Sequence, residues 1–86
     1  MKQVIIGVEM RGYSRSEDEF EREIRRRYAD WEFIEKQPAK IKAALKLFVE
    51  TGDSYKAAKL AGLTVDEFEE IRIKARIPKV IVREDV

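Results

Sequence analysis

Apolar residues recur along the chain with two different periods, and each change of period marks an element. Val4, Ile6, Val8 and Met10 alternate with Ile5 and Gly7, a spacing of two that predicts a strand over about 3–10. Arg11-Gly12-Tyr13 suits a turn. Ser16 stands three residues before Glu19, the arrangement of a capping box at a helix start. From there Phe20, Ile24, Tyr28, Trp31 and Ile34 fall at steps of three and four, predicting one long helix that runs to about Lys36 with these residues on its inner face.

The period stays helical through the middle of the chain. Pro38 suits a first helical turn, where its missing N–H costs nothing. Ile41, Ala44, Leu45, Phe48 and Val49 then trace an unbroken apolar stripe, and Thr51-Gly52-Asp53 closes that helix with Gly52 as a left-handed cap. Asp53 or Ser54 opens a short helix ending near Ala61. Thr64 and Glu67 form a second capping box, flanked by Leu63 and Phe68 as a hydrophobic staple. The helix that follows carries Val65, Phe68, Ile71 and Ala75 inward to about Arg76. Pro78 stops it, and Val80, Ile81 and Val82 predict a second short strand over 79–83.

Residues 54–71, SYKAAKLAGLTVDEFEEI, have the composition that a helix-turn-helix needs. Two helices crossing steeply must approach closely, which calls for a small residue at the contact, here Ala58. The turn four residues later calls for a positive φ, supplied without steric cost by Gly62. The expected fold is therefore mainly α. A tri-helical helix-turn-helix core over 37–78 follows a strand and long helix over 1–36, and a C-terminal strand and tail occupy 79–86, all within a single domain 1–86. Because a two-stranded ribbon is marginal in water, the terminal strands are expected to pair with each other, within the chain or across a homodimer. Val4, Ile6, Val8, Trp31, Val80 and Val82 are the candidate interface residues.

The C-terminal half resembles small prokaryotic helix-turn-helix proteins of an uncharacterised family whose members are often regarded as candidate antitoxins. The likeness rests on Ala57-Ala58, Leu60-Ala61-Gly62, Phe68 and Arg76-Ile77-Pro78. It implies the tri-helical fold and a role in regulation on DNA.

Composition narrows the chemistry. Apolar residues make up 44% of the 86 and charged residues 41%, enough of the former to fold. Cysteine and histidine are absent, which excludes disulfides, thiolate catalysis and the usual zinc sites. The serines have no histidine to activate them, and no phosphate-binding glycine loop is present, so neither an enzyme nor a bound cofactor or metal is expected. Few amides beside abundant Glu, Lys and Arg suggest a heat-adapted source. No apolar run approaches the length of a membrane span, and the first ten residues read as a strand and not as a signal peptide, so a cytoplasmic location is expected.

The net charge of +1 identifies no partner, but over residues 37–61 five lysines face two carboxylates. The candidate DNA contacts are Lys40, Lys42, Tyr55, Lys56, Lys59 and Thr64. On the second helix of the motif Thr64, Asp66, Glu67, Glu69 and Glu70 are expected to face outward, and carboxylates there oppose a polyanion. Arg25-Arg26-Arg27 is expected to form ion pairs within its helix, with Glu21 and Glu23 four positions before Arg25 and Arg27. Two function classes result. One is a small DNA-associated regulator, antitoxin-like and dimeric. The other is a protein-interaction module that keeps the helix-turn-helix as a scaffold without binding DNA.

Overall fold

The computed structural model describes residues 5–9 and 17–83, and it is mainly helical. The elements are β1 (Ile5–Glu9), α1 (Glu17–Tyr28), α2 (Trp31–Glu35), α3 (Ala39–Thr51), α4 (Ser54–Ala61), α5 (Val65–Lys74) and β2 (Lys79–Arg83). Ser16, Val4 and Met10, expected at a helix cap and at the strand ends, lie outside the described residues.

Helix α3 is the hub, packing against α1, α2 and α4. Its apolar stripe delivers Ala44, Leu45, Phe48 and Val49 to the core. There they meet Ala57 and Ala58 of α4, Phe68 of α5, and Ile34 of α2. The rings of Phe48 and Phe68 lie tilted with centroids 5.8 Å apart. Pro38 is the N-cap residue of α3, one place before the first turn expected for it.

The long helix expected through Lys36 is two helices. Ala29 makes the last helical bond of α1, to the Arg25 carbonyl. Asp30 is then extended, its carboxylate accepting the Phe33 N–H at 3.0 Å as the N-cap of α2. Its own N–H donates to the Ala75 carbonyl at the end of α5, at 2.7 Å. A partner distant in sequence thus satisfies a backbone donor that a continuous helix would have used, and the apolar face splits. Phe20 and Ile34 are buried, but Tyr28 is 52% exposed and Trp31 38%, with the Trp31 indole donating to the Arg26 carbonyl.

The arginines of α1 do more than pair within their helix. Arg25 has Glu21 at 3.8 Å as expected, yet it is buried and donates through Nε to the Val49 carbonyl at 2.7 Å. Arg22 donates to the Glu50 carbonyl, and Arg26 forks onto the Glu50 carboxylate at 2.8–3.0 Å. Carbonyls at a helix C-terminus lack intrahelical donors and carry partial negative charge, so three cations clasp the end of α3 where they are most favourable. Gly52, at φ +69°, fits this place twice over, because a Cβ would also sit 2.9 Å from Arg25 Nη1.

Arg72 on α5 was not expected inside, and it is fully buried. Its Nε donates to Glu69 Oε2 at 2.6 Å, Nη1 donates to the Ile77 carbonyl at 2.7 Å, and the guanidinium lies 5.7 Å from the centre of the Phe48 ring. Glu69 also receives the Ser54 hydroxyl and faces Lys79, so it is half-buried and turned toward its neighbours instead of on the outward face expected for it.

Helix α5 ends at Lys74, two residues earlier than the periodicity suggested, in a Schellman turn. The Ile77 N–H donates to the Arg72 carbonyl and the Arg76 N–H to the Ile73 carbonyl. The residue in the left-handed position is Arg76, at φ +57°, where glycine is usual. Ile77 and Pro78 are buried beneath the turn, and β2 leaves from it to pair in parallel with β1, Ile6 opposite Val80 and Val8 opposite Val82. The terminal strands therefore pair within one chain.

Two stability measurements follow. Glu69→Gln strands the buried Arg72 charge and should cost about 3 kcal/mol, whereas Arg72→Met, which removes charge and desolvation together, should cost less. Chemical denaturation of both variants and their combination checks this, and the Glu69→Gln cost should shrink in the Arg72→Met background. At the α5 turn, Arg76→Gly should exceed Arg76→Ala in stability by about 1 kcal/mol, since both lose the charge and only glycine relieves the backbone.

Candidate nucleic-acid interface

Helices α4 and α5 are capped and joined by local chemistry that can be followed residue by residue. The Asp53 carboxylate accepts the Lys56 N–H at 3.0 Å and starts α4. At its end Gly62 takes φ +72°, the Leu63 N–H returns to the Ala58 carbonyl and the Gly62 N–H to the Lys59 carbonyl. This turns Leu63 back across Ala58. Thr64 and Glu67 then cap α5 reciprocally, hydroxyl to N–H at 3.1 Å and carboxylate to N–H at 2.9 Å.

Between the two helices this construction leaves an open depression of about 490 Å³. Ala58 is buried beneath it, and Leu63 and Val65 are half-buried along it. Tyr55, Lys56, Lys59 and Thr64 complete the lining. Tyr55 is 78% exposed, and the neighbouring Leu60 of α4 is 48% exposed. Four of the six residues expected to meet DNA are thus brought to one place.

The other two are not. Lys40 is exposed near the start of α3, away from the depression. Lys42 is held 3.5 Å from Glu35, which also takes Lys46 at 3.0 Å. The hydrogen bond and charge of Lys46, reinforced by Lys42, hold the Glu35 carboxyl below its ordinary range. Among the described residues, neither Lys56 nor Lys59 has a carboxylate within salt-bridge distance, in contrast to Lys36, Lys42, Lys46 and Lys79.

The exposed acids of α5 are Asp66, Glu67 and Glu70, with Glu67 engaged in the cap. Thr64 is likewise engaged as a cap, its oxygen accepting the Glu67 N–H while its hydroxyl hydrogen is left to donate. Trp31 lies at the α1–α2 break. Of the other expected interface residues, Ile6, Val8, Val80 and Val82 occupy paired strand positions and Val4 lies outside the described residues.

Residue periodicity missed Arg72 and the inward role of Glu69. The signal was present, because Arg72 follows Phe68 by four residues on the stripe that continues to Ala75. A charge at a core position of that stripe calls for a partner one turn away, and Glu69 supplies it. Among the described residues no group of three or more acidic, histidine or cysteine side chains is arranged to hold a metal ion. No described helix is long and apolar enough to cross a membrane.

Compared with known protein families, curated proteins and solved structures, the chain matches none.

The Glu35 cluster makes a pH prediction. A carboxyl depressed in the folded state contributes stability above its unfolded pKa and loses it as pH falls through the folded pKa. An NMR titration should place the Glu35 midpoint below the ordinary 4.5, and Lys46→Met should move it upward.

Proposed function

We propose that α3, α4 and α5 form a helix-turn-helix and that the protein is a small DNA-associated regulator, antitoxin-like and acting as a homodimer. The observation that supports this most directly is the pair Lys56 and Lys59, with no carboxylate within salt-bridge distance among the described residues, beside the exposed Tyr55 on a helix that ends in a glycine turn. Cations without protein partners are available to phosphate oxygens, and phosphate contacts supply most non-specific affinity for a duplex.

In this reading α4 follows the backbone and α5 approaches a groove by its first turn. That first turn presents Asp66, with Glu70 one turn further on, and both carboxylates oppose the phosphates. Affinity then rests on α4, and base readout contributes little. A low sequence preference is the physical consequence.

The test is fluorescence anisotropy with a mixed-sequence labelled duplex across a salt series. Affinity should fall steeply with salt, and Lys56→Glu with Lys59→Glu should reduce the log–log slope by about 2. Asp66→Asn with Glu70→Gln should strengthen binding across all duplexes alike. Sedimentation of the complex should return two protein chains per duplex. Binding that ignores salt, or is untouched by the lysine changes, would remove this assignment.

A second reading, a protein-interaction module on the same scaffold, is favoured by one specific observation. The depression has an apolar floor that phosphate contacts do not use.

A further inference from the structure

The lining of the α4–α5 depression combines two kinds of surface. Its floor, built from Ala58, Leu63 and Val65, is apolar, and the exposed Tyr55 stands beside it. Its charged residues are Lys56 and Lys59, neither of which has a carboxylate within salt-bridge distance among the described residues. The apolar floor gains by losing water to another apolar surface, and a large exposed tyrosine is a favourable anchor at protein contacts. The two cations are best met by carboxylates, and they disfavour a basic partner at the same place.

We propose that this depression docks an acidic amphipathic helical segment of a partner protein, apolar residues down and carboxylates toward Lys56 and Lys59, and that such a segment competes with DNA for α4. Docking itself stands independently of the DNA reading, and only the competition rests on it. The segment presents apolar residues at spacings of three and four, which places them on one face toward the floor. Its carboxylates on either side of that face meet the lysines, so it uses the same cations that a phosphate backbone would use. Asp66, exposed near the start of α5, repels acidic residues at that end and biases the segment toward α4.

The experiment uses the full chain, labelled with nitrogen-15, and two synthetic helical peptides. One carries Leu and Phe at the stated spacing with Glu elsewhere, and its counterpart carries Lys in place of every Glu. The acidic peptide should shift the backbone amides of Ala58, Leu63 and Val65, and should bind about tenfold or more tightly than the basic one. Lys56→Glu with Lys59→Glu, both exposed and with no carboxylate within salt-bridge distance among the described residues, should leave the protein folded, at the small cost of an anion in the last turn of α4, and reverse that preference. Asp66→Lys should strengthen binding of the acidic peptide. Equal binding of the two peptides, amide shifts confined to other surfaces, or an unchanged preference in the doubly reversed variant would each overturn the proposal.

Competition is read by adding the acidic peptide to the protein–duplex complex, where release of the duplex is expected. If the duplex binds and neither peptide docks, the inference fails and the DNA assignment stands. If the acidic peptide docks as described and no duplex binds, docking stands and the DNA assignment fails.

Discussion

The fold depends on how the fully buried cation of α5 is accommodated. Arg72 has no access to solvent, so its charge must be answered inside the protein. Glu69 answers it from the preceding turn, the Ile77 carbonyl from beyond the helix end, and the Phe48 ring from α3. One side chain therefore joins α5 to the central helix and to the segment leading into β2. Its Nη2 has no hydrogen-bond partner among the described residues. An apolar residue of similar volume would avoid that cost, but it could not hold the Ile77 carbonyl in place at the turn.

Much of the architecture was legible because its causes are local. The stripe from Ile41 to Val49, the left-handed glycines at 52 and 62, and the reciprocal cap between Thr64 and Glu67 each depend on residues within one or two turns. What could not be read depends on distant partners. Nothing near Asp30 announces that its N–H will meet the Ala75 carbonyl, so a continuous period of three and four concealed a helix break. The same applies to Arg25, whose neighbours suggest an intrahelical pair while its Nε serves the Val49 carbonyl. Arg76 shows the converse limit, because a left-handed turn formed without the glycine that would have signalled it.

The candidate site was legible to a similar degree. Tyr55, Lys56, Lys59 and Thr64 could be grouped by their positions around one turn, and they line one depression. The pairing of Lys42 could not be read from sequence, because its carboxylate partner, Glu35, belongs to a different helix. The division of lysines into paired and unpaired is a tertiary property. It also carries the functional information, since a cation already met by a carboxylate has less to gain from a ligand.

The clasp of Arg22, Arg25 and Arg26 on the end of α3 bears on modularity. Helices α3 to α5 resemble a portable cassette, yet the carbonyls of Val49 and Glu50 are completed by side chains from α1. A graft of the three helices alone would exchange those charge-assisted bonds for water and leave a face of its central helix uncovered. Recombination between relatives of such a protein would thus be constrained to exchange α1 and α3 together, with the breakpoint placed before the arginines and not at the apparent start of the cassette.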